Sequence, residues 1–372
     1  MSFFQSLKSQ NWLLNGAIVL LSTMSLITLS SLDMSLFWRQ VLYFFFGFCL
    51  IIFLPRFNIR PLLHSSFFIY GLYGLIIILL VVTLFVAPTI RNTRSWIAAG
   101  PFKIQISEFA KIGLILLLAH FWSTAHVRIY KATTILKSLI LFLIPAVLIL
   151  KQPDLGTVLI LFGIWAMFIL VSGPKPSHII AGFLLLVIVG GIGGAYFLKD
   201  YQKARIFSFF RPSYDTLGVN YNMQQAKIAI GSGGIWGKGY REGTQSHLGY
   251  LPEASTDFIF AAFIEEWGFF GFLIWSLCWV LLFYALFKIT TVLERNTLVF
   301  CVFATGALFF IQSFINIGSN LGFFPVVGVS LPFFSYGGSN LLTSFILVAI
   351  IQSIFAQQTI FKKGVGVETI GG

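Results

Sequence analysis

Apolar residues run along this chain in long blocks. They cover roughly 12–32, 37–54, 66–87, 104–123, 136–150, 155–173, 178–198, 258–287, 298–320 and 335–356. A helix needs about 20 such residues to cross a bilayer, so the pattern predicts about ten transmembrane helices. The fifth and sixth blocks are separated only by Lys151-Gln152-Pro153-Asp154. A polar tetrapeptide with a proline is costly in hydrocarbon and reads as a turn at the membrane surface. The predicted fold is an all-α polytopic integral membrane protein, a single domain over 1–372. Its one sizeable non-membrane segment is a loop over 198–257, between spans seven and eight.

Ten spans put both termini on one side, and the short-loop charges choose which. The side holding the N-terminus collects Lys8, Arg56, Arg60, Arg128, Lys131, Lys137, Lys175, Lys288, Arg295, Lys362 and Lys363. The opposite short loops hold Arg39, Arg91, Arg94, Lys103 and Lys151, so the count is 11 against 5. Basic residues accumulate on the cytoplasmic side. Both termini are therefore expected in the cytoplasm and the long loop outside.

Composition agrees: 58% of the 372 residues are hydrophobic and 10% charged. Mean hydropathy is +0.91. Such a chain has no polar skin for a soluble enzyme. The net charge of +12 punctuates apolar runs instead of forming a stripe, which excludes nucleic acid as a partner. Cys49, Cys278 and Cys301 lie inside apolar runs and the five histidines show no metal-ligand spacing, so no zinc site or disulfide framework is indicated. The first span lacks a small-residue cleavage site and is expected to be retained.

The acids in or at the ends of the spans are functional candidates, because charge in a membrane is costly. Under this topology Glu108 and Lys111 lie near the outer end of span four, three residues apart on one face. Asp154 opens span six, Asp257 precedes span eight, and Glu265 and Glu266 lie a little deeper. Asn316 and Asn320 end span nine. Ser335, Tyr336, Ser339 and Asn340 lead into span ten. All of them fall at the outer interface. A transporter that alternates access would hold its key residues near the midplane; an enzyme working on a lipid-linked substrate from outside would hold them here. Each has a structural alternative: Glu108–Lys111 as a buried ion pair, Asp154 and Asp257 as helix caps, Glu265 and Glu266 as hydrogen-bonding residues of the bundle. Residues 222–230 are predicted as a short surface helix. The following Gly-rich 231–239, with Lys238, reads either as a turn region or as backbone amides approaching a lipid diphosphate. Lys238 precedes Gly239, not Ser or Thr, so an ATP phosphate loop is excluded. The glycines of 190–194 read as close helix packing.

These segments carry a resemblance. Lys151-Gln-Pro-Asp-Leu-Gly-Thr157 resembles the QPDxGT signature of the SEDS family (shape, elongation, division and sporulation). Leu251-Pro-Glu-Ala-Ser-Thr-Asp-Phe-Ile-Phe260 with Glu265-Glu266-Trp-Gly268 resembles its LPExxTDFIF…EExG segment. Asn316-Ile-Gly318 with Leu331-Pro-Phe-Phe-Ser-Tyr-Gly-Gly-Ser339 is similar to the family's last-span signature, and Ser107-Glu108-Phe-Ala-Lys111 to its SExxK. The motifs run in order from about 90 to 355. Lys227–Gly234, Gly237–Gly239 and Gly243–Ser246 look more like the elongation branch than the division branch. Ile106, Ser255 and Arg211 depart from the usual family residues.

The resemblance implies a peptidoglycan glycosyltransferase of the inner membrane, with its active site facing the periplasm, that polymerises lipid II. It implies a class B penicillin-binding transpeptidase and the rod-shape complex membrane proteins as partners. Joining two lipid-linked disaccharides needs a base for the acceptor hydroxyl, and Asp257 is the candidate. Glu108, Lys111, Asp154, Lys238, Asn316 and Ser335 are the candidate substrate-binding residues. Asp154 either shapes the cavity or, with a second acid, holds a divalent cation, Mg or Mn. The alternative functions are a lipid II flippase and a non-catalytic scaffold for the transpeptidase.

Overall fold

A computed structural model describes residues 3–88, 94–99, 102–125, 132–171 and 220–368. The expected span 178–198, with its glycine run, lies outside the described residues, as do Arg91, Arg128, Lys131, Lys175 and Arg211. After a short α1 (Phe3–Lys8) come α2 (Trp12–Leu32), α3 (Met34–Phe53), α4 (Arg60–His64) and α5 (Ser66–Val86). Two strands, β1 (Trp96–Ala99) and β2 (Phe102–Gln105), precede α6 (Ile106–Ala125), α7 (Ala132–Lys151) and α8 (Leu155–Val171). Helices α9 (Tyr221–Ser232) and α10 (Thr244–His247) belong to the loop. The long α11 (Ile259–Val292), α12 (Asn296–Leu321) and α13 (Gly338–Glu368) complete the bundle.

Eight of these helices are long and apolar enough to cross a membrane, and α8 is a shorter apolar helix. The chain is a multi-pass membrane protein. The predicted surface helix 222–230 is present within α9. The fourth expected span begins late, because Phe102–Gln105 is extended and pairs antiparallel with β1, Trp96 opposite Gln105.

Local chemistry sets the ends. The Asn11 side chain accepts from Leu14 N–H at 3.0 Å and caps α2. Asp33 ends α2 and caps α3, accepting from Ser35 N–H at 2.7 Å. Polar ties then fix the two ends of the bundle. At one end Gln352 joins Asn15 and Asn11, Arg60 donates to Gln358 Oε1 and Thr297 donates to Ser123 Oγ at 2.8 Å. At the other, Ser30 bonds Tyr240 and Arg241 donates to the Ser30 carbonyl. Phenylalanines fill the space between: Phe309–Phe333, Phe333–Phe345 and Phe263–Phe334 pack edge to face at 5.2–5.4 Å.

Span eight is two helical pieces. They meet at Gly268, whose φ of 63° and ψ of −160° are not helical. The break frees backbone groups, and the Gly-rich segment takes them up. Lys238 N–H and Gly239 N–H donate to the carbonyls of Glu265 and Glu266, while Phe269 N–H and Phe270 N–H donate to Gly234 and Ile235. A Cβ at Gly268 would stand 2.3 Å from Gly237 N, so the two backbones fit only as glycines. The first piece, from Ile259 to Glu266, is buried throughout. Beyond the break, Phe269, Phe270, Leu273, Ile274 and Leu277 are exposed, as lipid-facing residues are.

Candidate active site

Asp257 lies just before α11, and neighbouring elements grip its backbone. Tyr336 N–H donates to the Ser255 carbonyl at 2.9 Å. Ser335 Oγ donates to the Thr256 carbonyl at 2.7 Å. The Asp257 carbonyl accepts from Asn316 Nδ2 at 2.9 Å and from Asn320 Nδ2 at 3.0 Å. Three successive carbonyls are thus fixed by α12 and the segment leading into α13. Asn316 also donates to the Val329 carbonyl at 2.7 Å. That holds the 322–337 segment against Asp257, and a Cβ on Gly328 would lie 3.7 Å from Asp257 Oδ2. Asp257 is half-buried. The N-cap of α11 is Phe258, whose own side chain makes no capping hydrogen bond.

Asp154 does cap its helix. Its Oδ1 accepts from Thr157 N–H at 3.0 Å. Its Oδ2 accepts from Thr157 Oγ1, Ser107 Oγ and Gln105 Nε2 at 2.8–3.0 Å. Gln105 N–H in turn donates to Ser339 Oγ at 3.0 Å. This network ties β2, α6, α8 and α13 together. Four donors aimed at one carboxylate do not suit a cation, and no group of three or more His, Cys, Asp or Glu among the described residues could hold one. Gly156 meets the Val327 carbonyl, so Asp154 and Asp257 flank the same 322–337 segment.

One turn along α6, Lys111 Nζ donates to both Glu108 oxygens at 2.8 Å. Lys111 is 1% exposed. A cation this deep is tolerable only when paired. Asn316 and Ser335 are buried, and their side chains bond the backbone around Asp257. Lys238 stands apart. It pairs with Glu265 at 2.8 Å, an acid that also accepts from Gln245 N–H, Ser246 N–H and Ser246 Oγ. Its neighbour Glu266 accepts from Ser31 Oγ and His247 Nε2. The two glutamates bolt the loop to the bundle, which is the structural role expected of them.

Sequence reasoning missed Gln105, whose short-range signal is only its closeness to Ser107, and placed Thr157 in the QPDxGT signature without a role. It also missed Gln312, one helical turn before Asn316.

Comparison with known proteins gives a consistent set of likenesses. Residues 5–360 match the cell cycle protein family FtsW/RodA/SpoVE. The peptidoglycan glycosyltransferase MrdB of Escherichia coli K12 is 34% identical over 355 residues, covering 94% of this chain and 93% of that one. A chain from a structure on the coordination of polymerization and crosslinking by a peptidoglycan synthase complex superposes with a TM-score of 0.79 at 27% identity, covering 94% of this chain and 98% of that one. The rod shape determining protein RodA of Thermus thermophilus gives 0.68 at 25% identity, covering 94% and 97%.

Proposed function

The chain belongs to the FtsW/RodA/SpoVE family, and from that membership we infer that it is a peptidoglycan glycosyltransferase, polymerising lipid II into β-1,4 glycan strands for cell elongation. The acceptor's GlcNAc 4-hydroxyl attacks the anomeric carbon of the donor's MurNAc, and undecaprenyl diphosphate leaves. An α-diphosphate becomes a β link, so one in-line displacement suffices. The hydroxyl proton passes to the Asp257 carboxylate, a step worth typically 10²–10⁴-fold. The leaving diphosphate needs its charge neutralised more than it needs a proton. Lys111, held by Glu108, supplies that charge. Asn316 and Ser335 hold the base in place, and Asp154 holds the neighbouring walls.

The observation that carries this reading is the clamp on Asp257: a half-buried carboxylate on a backbone fixed by three successive carbonyl contacts. A base so held loses little to misalignment, where an error of 1 Å costs on the order of 10² in rate. The same end of the bundle carries the long loop, in keeping with an active site facing the periplasm of an inner-membrane protein. The class B transpeptidase that crosslinks the product is the expected partner, its single span docking on α11 and α12. Other rod-shape proteins complete the assembly. Purified protein supplied with lipid II, with and without that transpeptidase, tests the reading. Glycan strands are expected, and no polymer under either condition would overturn it.

A further inference from the structure

Gln312 lies on α12 and is 1% exposed. Among the described residues, neither its Nε2 nor its Oε1 has a hydrogen-bond partner. Its neighbours on the helix differ. Thr305 donates to the Cys301 carbonyl at 2.9 Å, Ser313 to the Phe309 carbonyl at 2.8 Å, and Asn316 to Asp257 and Val329. A buried amide with both ends open destabilises a fold, where leucine or methionine of similar size would not. Such a residue is better explained by a ligand than by packing.

Its position agrees. Gln312 and Asn316 are four apart and share a face, so Gln312 sits one turn inward of the residue that grips Asp257. Helices α6 and α12 pack along one another, and the Thr297–Ser123 bond marks their inner ends. From that bond, about 22 Å outward along either helix leads to Glu108 on one and Gln312 on the other. The open amide thus stands one turn inward of Asp257's clamp, at a depth comparable with the Glu108–Lys111 pair.

We propose that Gln312 is a substrate-binding residue that hydrogen-bonds the 2-acetamido group of a lipid II sugar. A diphosphate offers acceptors only and would leave Oε1 unsatisfied. An acetamido group offers one N–H and one carbonyl, which match the two ends of a glutamine amide. The proposal rests on the glycosyltransferase reading, and both sugars of lipid II carry the group.

The test compares wild type, Gln312→Leu and Gln312→Met on native lipid II and on two analogues, each with a hydroxyl replacing the acetamido group of one sugar. Both variants should melt at or above the wild-type temperature. On native lipid II their kcat/KM should fall at least about tenfold. Wild type should lose a similar factor on one analogue, and the variants should lose nothing further on that same analogue. That analogue identifies the sugar. Wild-type kinetics from the variants would overturn the proposal. So would equal additional losses on both analogues, or a fall in melting temperature in both variants, which would make the amide structural. If wild type itself left native lipid II unpolymerised, the glycosyltransferase reading would fail first.

Discussion

Lys111 and Glu108 show how much a single side chain carries here. Removing one partner of a buried pair strands the other charge and costs about 3–5 kcal/mol, whereas replacing both by neutral groups is often close to neutral. Lys111→Met alone should therefore lower the thermal stability of the purified protein, and Lys111→Met with Glu108→Gln should recover most of it. Polymerisation should not recover with it, staying down at least about a hundredfold, because in the proposed mechanism the cation also neutralises the substrate's phosphates. Near-normal glycan synthesis by the double variant would reduce the pair to a structural counter-ion. At this scale the sequence displayed the chemical types but not the directions of their polar atoms. Asn316 and Ser335 read as substrate ligands from their place in the motifs. Their atoms turn instead to the backbone around Asp257, because the 322–337 segment folds back between α12 and α13. Nothing in local spacing announces that return. Gln312 carried a usable signal, a polar amide in an apolar span four residues before Asn316.

Among the elements, α11 departs most from its sequence pattern. Its apolar run continues through Gly268, so span eight reads as one helix. The break is instead a tertiary event, stabilised where residues 234–239 pair with the freed backbone groups. It also explains the Gly-rich segment, whose amides serve the bundle itself. Gly268→Ala tests this. Its φ and ψ lie in a region essentially reserved for glycine, at a cost of about 1–3 kcal/mol to any other residue. The added Cβ would also meet Gly237 N. The melting temperature in detergent should drop and the yield of folded protein with it. A silent substitution would mean that the break is not required. The other described spans were legible because bilayer crossing demands long apolar blocks; the first runs over the expected 12–32, and the second starts three residues early, at Met34, where the Asp33 cap sets it.

For the whole molecule, the argument that the acids share one level survives the fold. Ser30 and Ser31, the 220–257 residues, Asp154 and the 316–340 segment meet at one end of the bundle, while Asn11, Arg60, Ser123, Thr297 and Gln358 meet at the other. Which end faces out rests on the charge bias. Single cysteines at 30–36, 94–99 and 240–250 should react with an impermeant thiol reagent from outside the cell, and those at 58–64 and 290–296 should not. The reversed pattern would put the site on the wrong side for an external polymerase. All of these scales lead to Asp257. Asp257→Asn keeps the shape and removes the basicity, and asparagine caps a helix about as well as aspartate, so capping is not at stake. The deciding measurement is glycan-strand yield and length from lipid II, at matched amounts of wild type and Asp257→Asn. The variant should accumulate, melt like wild type and polymerise at least about a hundredfold less; wild-type strands from it would remove Asp257 from the chemistry.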